Sequence, residues 1–211
     1  MVAGTGTEVG KTWCTARIAE AWRARGGTVA ARKPAQSFDP DDPHPTDAAV
    51  LAAATGETEA EVCAPDLAFP VALAPPMAAE ALGRPVPTVA ALVAASSSWP
   101  SPAVELGFVE LAGGVRSPMG DDGDGVDLTA ALRPDGVLLV ADAELGTINA
   151  VRLSVAALAT ATAAPVLVLL NRYDGGADLH RRNRAWLGAR DGYAVATDVA
   201  GALAWLDALP S

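Results

Sequence analysis

Apolar and polar positions run in short blocks along the chain, and the blocks predict strands and helices by turns. Met1-Val2-Ala3 is an apolar start, followed by a glycine-rich loop over Gly4–Thr12 and by helical spacing from Lys11 to Arg25 that Gly26-Gly27 closes. Thr28–Arg32 reads as a short strand, Lys33–Pro45 as a polar loop, and Thr46–Thr55 as an alanine-rich helix stopped by Gly56. Glu57–Ala74 reads as irregular with room for a short strand. Pro75–Leu82 has proline early and Gly83 after its end, as a helix should, and Thr88–Ser98 is another helix. Val104–Leu111 is a strand, Val115–Val126 a loop, and Asp127 is expected to cap a short helix to Leu132. Gly136–Ala141 and Pro165–Leu170 are apolar runs that predict buried strands, with a long helix over Gly146–Thr162 between them. A helix over Leu179–Leu187, a weak strand over Tyr193–Ala196 and a helix over Gly201–Leu209 follow.

Strands alternating with helices predict an α/β fold: a single domain with a mostly parallel sheet and helices on both faces. Ligands in such sheets bind beyond the C-terminal strand ends. Gly4–Thr12, Lys33, Glu110 and Asn171 all follow predicted strands, so the topology gathers them on one edge. The first strand is short, with only Met1 to Ala3 ahead of Gly4, and a shortened strand there is expected to weaken the core beside it.

Composition narrows the partners. Of 211 residues, 51% are hydrophobic and 19% charged, enough for a sizeable core. A net charge of −10 repels a phosphate backbone, so no nucleic-acid partner is expected. The apolar runs are too short to span a bilayer, so no membrane partner is expected either. Two cysteines, Cys14 and Cys63, fit a reducing, cytoplasmic location.

The chemistry starts at Gly4-Thr5-Gly6-Thr7-Glu8-Val9-Gly10-Lys11-Thr12. Gly6 and Gly10 let backbone N–H groups approach a polyphosphate, Lys11 supplies positive charge, and Thr12 offers a hydroxyl to Mg²⁺. The following helix points its positive dipole end at the same place. The spacing is one residue longer than the common phosphate-binding loop. Lys11 and Lys33 are the only lysines of the chain, all other fixed positive charge being arginine, which does not replace a compact ammonium. Glu110 ends an apolar strand, where a carboxylate is costly unless solvated, paired or metal-linked; Asp142 also ends a strand and is the rival Mg²⁺ ligand. His44 and His180 make no metal spacing. The Asp121–Asp127 stretch reads as a solvated acidic loop, and Arg181-Arg182-Asn183-Arg184 as a solvated helix face.

On these residues the chain resembles the dethiobiotin synthetase family, P-loop enzymes that close a ureido ring with ATP. The likeness continues through Lys33-Pro34-Ala35-Gln36-Ser37, Thr46-Asp47-Ala48, Glu110-Leu111-Ala112-Gly113-Gly114, Leu145-Gly146-Thr147-Ile148-Asn149 and Asn171. The resemblance implies a P-loop NTPase-like fold, ATP and Mg²⁺ as cofactors, and 7,8-diaminopelargonate with CO₂ or bicarbonate as substrates. It implies Lys33 and Lys11 as catalytic residues, with Thr12, Asp47 and Glu110 on the metal. It implies Thr7, Glu8, Val9, Gly10, Lys11, Thr12, Trp13, Asp47, Glu110, Gly113, Asn171 and Arg172 around the nucleotide. Ser37, Gly113, Gly114 and Asn149 would meet the substrate, Asn149 from the opposite subunit of a homodimer whose substrate site lies near the interface.

Three departures leave alternatives open. Phe38 and Leu111 stand where the family usually has small residues, which favours a related P-loop amide ligase or kinase with another substrate. The family's later Gly-x-x-Pro nucleotide segment is missing around Val195–Asp198, which loosens the expected base recognition. A nucleotide-switch ATPase is a third reading, although such proteins usually carry an additional lysine early in the loop. Read without the family, Lys33 is a solvated strand-end lysine, and Asp47 and Asn149 are helix caps.

Overall fold

The computed structural model describes residues 1–100 and 103–209. The chain runs β1 (Val2–Gly4), α1 (Lys11–Ala24), β2 (Val29–Arg32), β3 (Gln36–Ser37), α2 (Asp47–Thr55), α3 (Glu59–Val62), β4 (Ala68–Phe69), α4 (Pro75–Ala81) and α5 (Val89–Ser96). It continues through β5 (Leu106–Val109), β6 (Pro118–Gly120), β7 (Gly123–Asp124), α6 (Gly125–Leu132), β8 (Val137–Ala141), α7 (Thr147–Leu158), β9 (Val166–Leu170), α8 (Asp178–Ala185), β10 (Ala194–Ala196) and α9 (Val199–Asp207).

Strands β1-β8-β9-β10 pair in parallel, and β2-β5 form a second parallel pair. A parallel bridge from Val2 to Glu110 and a 3.0 Å hydrogen bond from Leu111 N–H to the Val2 carbonyl join the two. The central sheet therefore reads β2-β5-β1-β8-β9-β10. Period-two alternation along the buried strands divides the core. Val2, Leu138, Val140, Leu167 and Leu169 face α1, α2 and α9, where Ile18, Leu51 and Ala202 are fully buried. Ala3, Leu139, Ala141, Val168 and Leu170 face the other side, with Leu92, Leu128, Val151 and Leu158. Truncating Ile18 or Leu139, each 0% exposed, to alanine would cost about 2–5 kcal/mol. The expected α/β architecture with a mostly parallel sheet and helices on both faces is what the chain adopts.

Several local readings change. The segment read as irregular holds α3, opened by a capping box in which Thr58 and Glu61 satisfy each other's backbone N–H. The polar loop after β2 contains β3, which pairs in parallel with β4. The stretch read as a loop before α6 is the antiparallel hairpin β6–β7. Asp127 is not the cap of α6: Asp124 accepts from the backbone of Val126 and Asp127, while the Asp127 carboxylate returns to the Asp124 N–H. Among the described residues, no helix is long and apolar enough to cross a membrane.

Candidate active site

The strand ends set the site. β1 stops at Gly4, β2 at Arg32, β5 at Val109 and β9 at Leu170, so the phosphate loop, Lys33, Glu110 and Asn171 emerge on one edge of the sheet. The loop curls because Glu8 (φ 59°) and Gly10 (φ 90°) take left-handed backbone, which glycine adopts without strain. A Cβ on Gly10 would lie 2.1 Å from Asn171 Nδ2, so glycine is required on packing grounds too. Lys11 arches back across the loop and donates to the Gly6 carbonyl at 3.0 Å. Thr7 and Glu8 form the exposed outer turn, and Trp13 is 57% exposed beside them on α1. Lys11 is itself buried, and burial first, then the neighbouring Lys33, lowers its pKa to about 8.

Beside the loop lies a cluster drawn from four segments. Lys33 Nζ, 1% exposed, is 2.8 Å from Glu110 Oε1 and 2.7 Å from Asp47 Oδ2. Thr12 Oγ1 lies 2.6 Å from Glu110 Oε1 and 2.7 Å from Asp47 Oδ1, and Thr15 donates to Glu110 Oε2 at 2.8 Å. Thr46, not Asp47, caps α2, which leaves the Asp47 carboxylate free to face Lys33. Burial opposes the Lys33 charge, but Glu110 and then Asp47 outweigh it and hold the ammonium well above its ordinary range. Burial likewise pushes the Asp47 carboxyl up, and Lys33 more than offsets this, so it ends low.

This donor set fits a magnesium ion. The single proton of the Thr12 hydroxyl serves only one of its two carboxylate neighbours at a time. Two carboxylates thus meet one ammonium, the Thr15 hydroxyl on Glu110 Oε2 and one shared proton, leaving hard oxygen lone pairs for a cation. One or two carboxylates with a hydroxyl is the kind of partial ligand set Mg²⁺ takes beside phosphate. Asp142, the rival ligand, turns away to accept the Glu144 N–H at 3.0 Å.

The other expected residues fall around this centre. Ser37 Oγ is buried without a hydrogen-bond partner. Phe38 N–H donates to the Phe69 carbonyl at 3.0 Å, extending the β3–β4 pairing, and Leu111 is fully buried in the core. Gly113 has φ 66°, and the Gly114 N–H donates to Ser117 Oγ at 2.9 Å while packing against Gly6. Asn171 Nδ2 donates to the Val9 carbonyl at 3.0 Å, and exposed Arg172 donates to the Glu8 carbonyl at 3.3 Å. Asn149 lies apart from this group, exposed on α7. In place of the missing later segment, β10 ends at Ala196 and Asp198 caps α9. Thr15 is the contact that sequence reasoning missed. Its position one helical turn beyond Thr12 is the signal that could have found it.

Comparisons with known proteins bear on the family and the fold. A family model described as "AAA domain" matches residues 1–209. The ATP-dependent dethiobiotin synthetase of Caulobacter vibrioides is 43% identical over 148 residues, 69% of this chain and 67% of the relative. That of Caulobacter sp. strain K31 is 34% identical, over 90% of this chain and 83% of the relative. That of Haloferax mediterranei is 36% identical, over 86% and 75%. Among solved structures, the signal recognition particle receptor FtsY from Elizabethkingia anophelis superposes with a TM-score of 0.53 at 15% identity, covering 95% of this chain and 59% of that one. That likeness concerns the fold alone.

Proposed function

The chain belongs to the dethiobiotin synthetase family, and from that premise we propose that it is an ATP- and Mg²⁺-dependent cyclo-ligase converting 7,8-diaminopelargonate and CO₂ to dethiobiotin. One substrate amine takes up CO₂ as a carbamate. The γ-phosphoryl group of ATP activates that carbamate as a carbamic–phosphoric anhydride, and the second amine closes the ring as phosphate leaves. Every anionic species in this sequence forms at one point, so cations must converge there.

The observation that carries the reading is the placement of Lys33 Nζ between Glu110 and Asp47, beside a loop spanned by Lys11. A lysine held protonated in this way acts as a fixed positive charge toward the carbamate rather than as a base. Lys11 serves the phosphate side from the loop. Thr12, Asp47 and Glu110 would hold Mg²⁺, which when bound neutralises phosphate charge. Ser37 Oγ, buried and unpartnered, supports a polar substrate contact next to β3. Gly114 packs against Gly6 of the phosphate loop, with Gly113 beside it, and this glycine backbone suits a phosphate or carboxylate oxygen. Asn171 and Arg172 border the nucleotide subsite beside Gly10. Exposed Asn149 shares a face of α7 with Leu153, 64% exposed, and follows Leu145, 88% exposed, which supports a homodimer in which Asn149 reaches the partner's substrate. Two free, buried cysteines suit a cytoplasmic location.

The test is phosphate release and dethiobiotin formation with diaminopelargonate, bicarbonate, Mg²⁺ and ATP. Release that requires both diaminopelargonate and bicarbonate is expected. Release independent of diaminopelargonate would replace the ligase with a nucleotide switch. Tight nucleotide binding without turnover would transfer the activity to another substrate, with Phe38 and Leu111 as the residues responsible.

A further inference from the structure

Thr15 stands on the buried stripe of α1 with Lys11, Cys14, Ile18 and Ala19, and is itself 0% exposed. Cys14, Ile18 and Ala19 belong to the apolar core. Packing alone asks for valine at position 15, which has the same shape and no polar atom to desolvate. The hydroxyl has one proton and two acceptors within reach, the Lys11 carbonyl at 2.9 Å and Glu110 Oε2 at 2.8 Å. The first is the ordinary way a helical threonine satisfies itself, on a carbonyl the helix already engages. The second is a carboxylate paired with Lys33, and a charge-assisted hydrogen bond is the stronger of the two.

Glu110 is 0% exposed, so both of its oxygens depend on donors from the protein. Oε1 lies 2.6 Å from Thr12 Oγ1 and 2.8 Å from Lys33 Nζ. Among the described residues, Thr15 alone donates a side-chain hydrogen bond to Oε2. The torsion that turns a glutamate carboxyl group is broad, so its plane is fixed only when each oxygen has its own partner. Thr12 and Thr15, three residues apart on one helix, supply that pair.

We propose that Thr15 is a positioning residue for the metal centre. Its hydroxyl pins Glu110 Oε2 against α1 and so presents Oε1 toward Thr12, where Mg²⁺ is held. The proposal rests on the reading of Glu110 as a Mg²⁺ ligand. Without the hydroxyl, Oε2 is buried and unpaired, which is costly. The carboxylate then turns to share the donors of Oε1, and the lone pair offered to the metal is redirected. Because Thr15 acts through Glu110, it governs the metal-dependent part of nucleotide binding and leaves the rest.

The test measures the dissociation constant of a non-hydrolysable ATP analogue, with saturating Mg²⁺ and in chelator, for the parent, Thr15→Val, Thr15→Ser and Glu110→Gln. Thr15→Val is expected to weaken binding with Mg²⁺ by about tenfold or more, with the value in chelator within a few-fold of the parent. Thr15→Ser, which keeps the hydroxyl, is expected to restore the parental Mg²⁺ dependence. Parental values for Thr15→Val under both conditions overturn the proposal, because the hydroxyl then serves only the Lys11 carbonyl. Equal weakening under both conditions also overturns it, because the role is then structural. If Glu110→Gln leaves the Mg²⁺ dependence unchanged, the ligand reading itself falls and takes the proposal with it; a loss in Glu110→Gln beside a silent Thr15→Val removes the Thr15 role alone. Thr15→Cys, a weak donor of similar size, carries the same comparison if the valine variant does not fold, and a parental Mg²⁺ dependence there overturns the proposal.

Discussion

Replacing Lys33 by methionine separates the chemistry of the site from its contribution to folding. The side chain is fully buried and holds Glu110, which is 0% exposed, together with Asp47, whose side chain is 46% exposed. Removing one partner of a buried ion pair costs about 3–5 kcal/mol, because the other charge is left stranded. Here Glu110 keeps Thr12 and Thr15, and Asp47 can rehydrate, so the lower end applies, about 3 kcal/mol. For a chain of this length that lowers the Tm by about 6–12 °C. Adding Glu110→Gln removes the stranded charge and should recover most of the loss. Turnover should be abolished in both variants, while metal-free nucleotide affinity stays within a few-fold of the parent. Thermal melts, an ATP-binding titration in chelator and the dethiobiotin assay give the three readouts. Near-parental turnover in Lys33→Met would remove the catalytic assignment. A double variant no more stable than the single one would refute the stranded-charge account.

Two more predictions concern the nucleotide. With Lys11 near pKa 8 in the free protein, a bound polyphosphate restores its proton, so nucleotide affinity should fall as pH rises above about 8. Calorimetry in buffers of different ionisation enthalpy should register proton uptake near pH 8–9 and none near pH 6; uptake unchanged in Lys11→Met would contradict the assignment. Because the native chain releases this proton before the unfolded one, whose lysine titrates near 10.5, this group makes stability rise with pH between those values. Asn171→Ala should narrow the ATP-over-GTP preference, and an unchanged ratio of the two dissociation constants would count against a base-reading role.

The central strands were legible because they are continuous apolar runs: β8 and β9 are almost wholly buried, and a chain that covers both faces of a sheet shows it in composition. The phosphate loop was legible because its function needs glycine and lysine at fixed local offsets. What escaped was of two kinds. The two-residue β3 and β4 and the β6–β7 hairpin are too short for any period to register, and tertiary contacts decide them. Helix α3 did carry a sequence signal, Thr58 with Glu61 three residues on, as did the α6 cap in Asp124 with Asp127. In the site, the strand-end rule gathered Lys33, Glu110 and the loop. It did not reveal that Lys33 would bridge Glu110 and Asp47, because the first contact joins residues 77 positions apart through the β2–β5 register and the second depends on how α2 packs beside that strand end. Asn171 likewise could be placed at its strand end, but not against the Val9 carbonyl.

That last contact has a mechanical consequence. Side chains that follow β9 grip the loop at the carbonyls of Val9 and Glu8, from more than 160 residues away along the chain. The proposed seat for the base and the proposed cradle for the phosphates are thus tied directly to each other. On that reading, a nucleotide that fits badly at one end is expected to tilt the other, so that discrimination is felt where the chemistry happens.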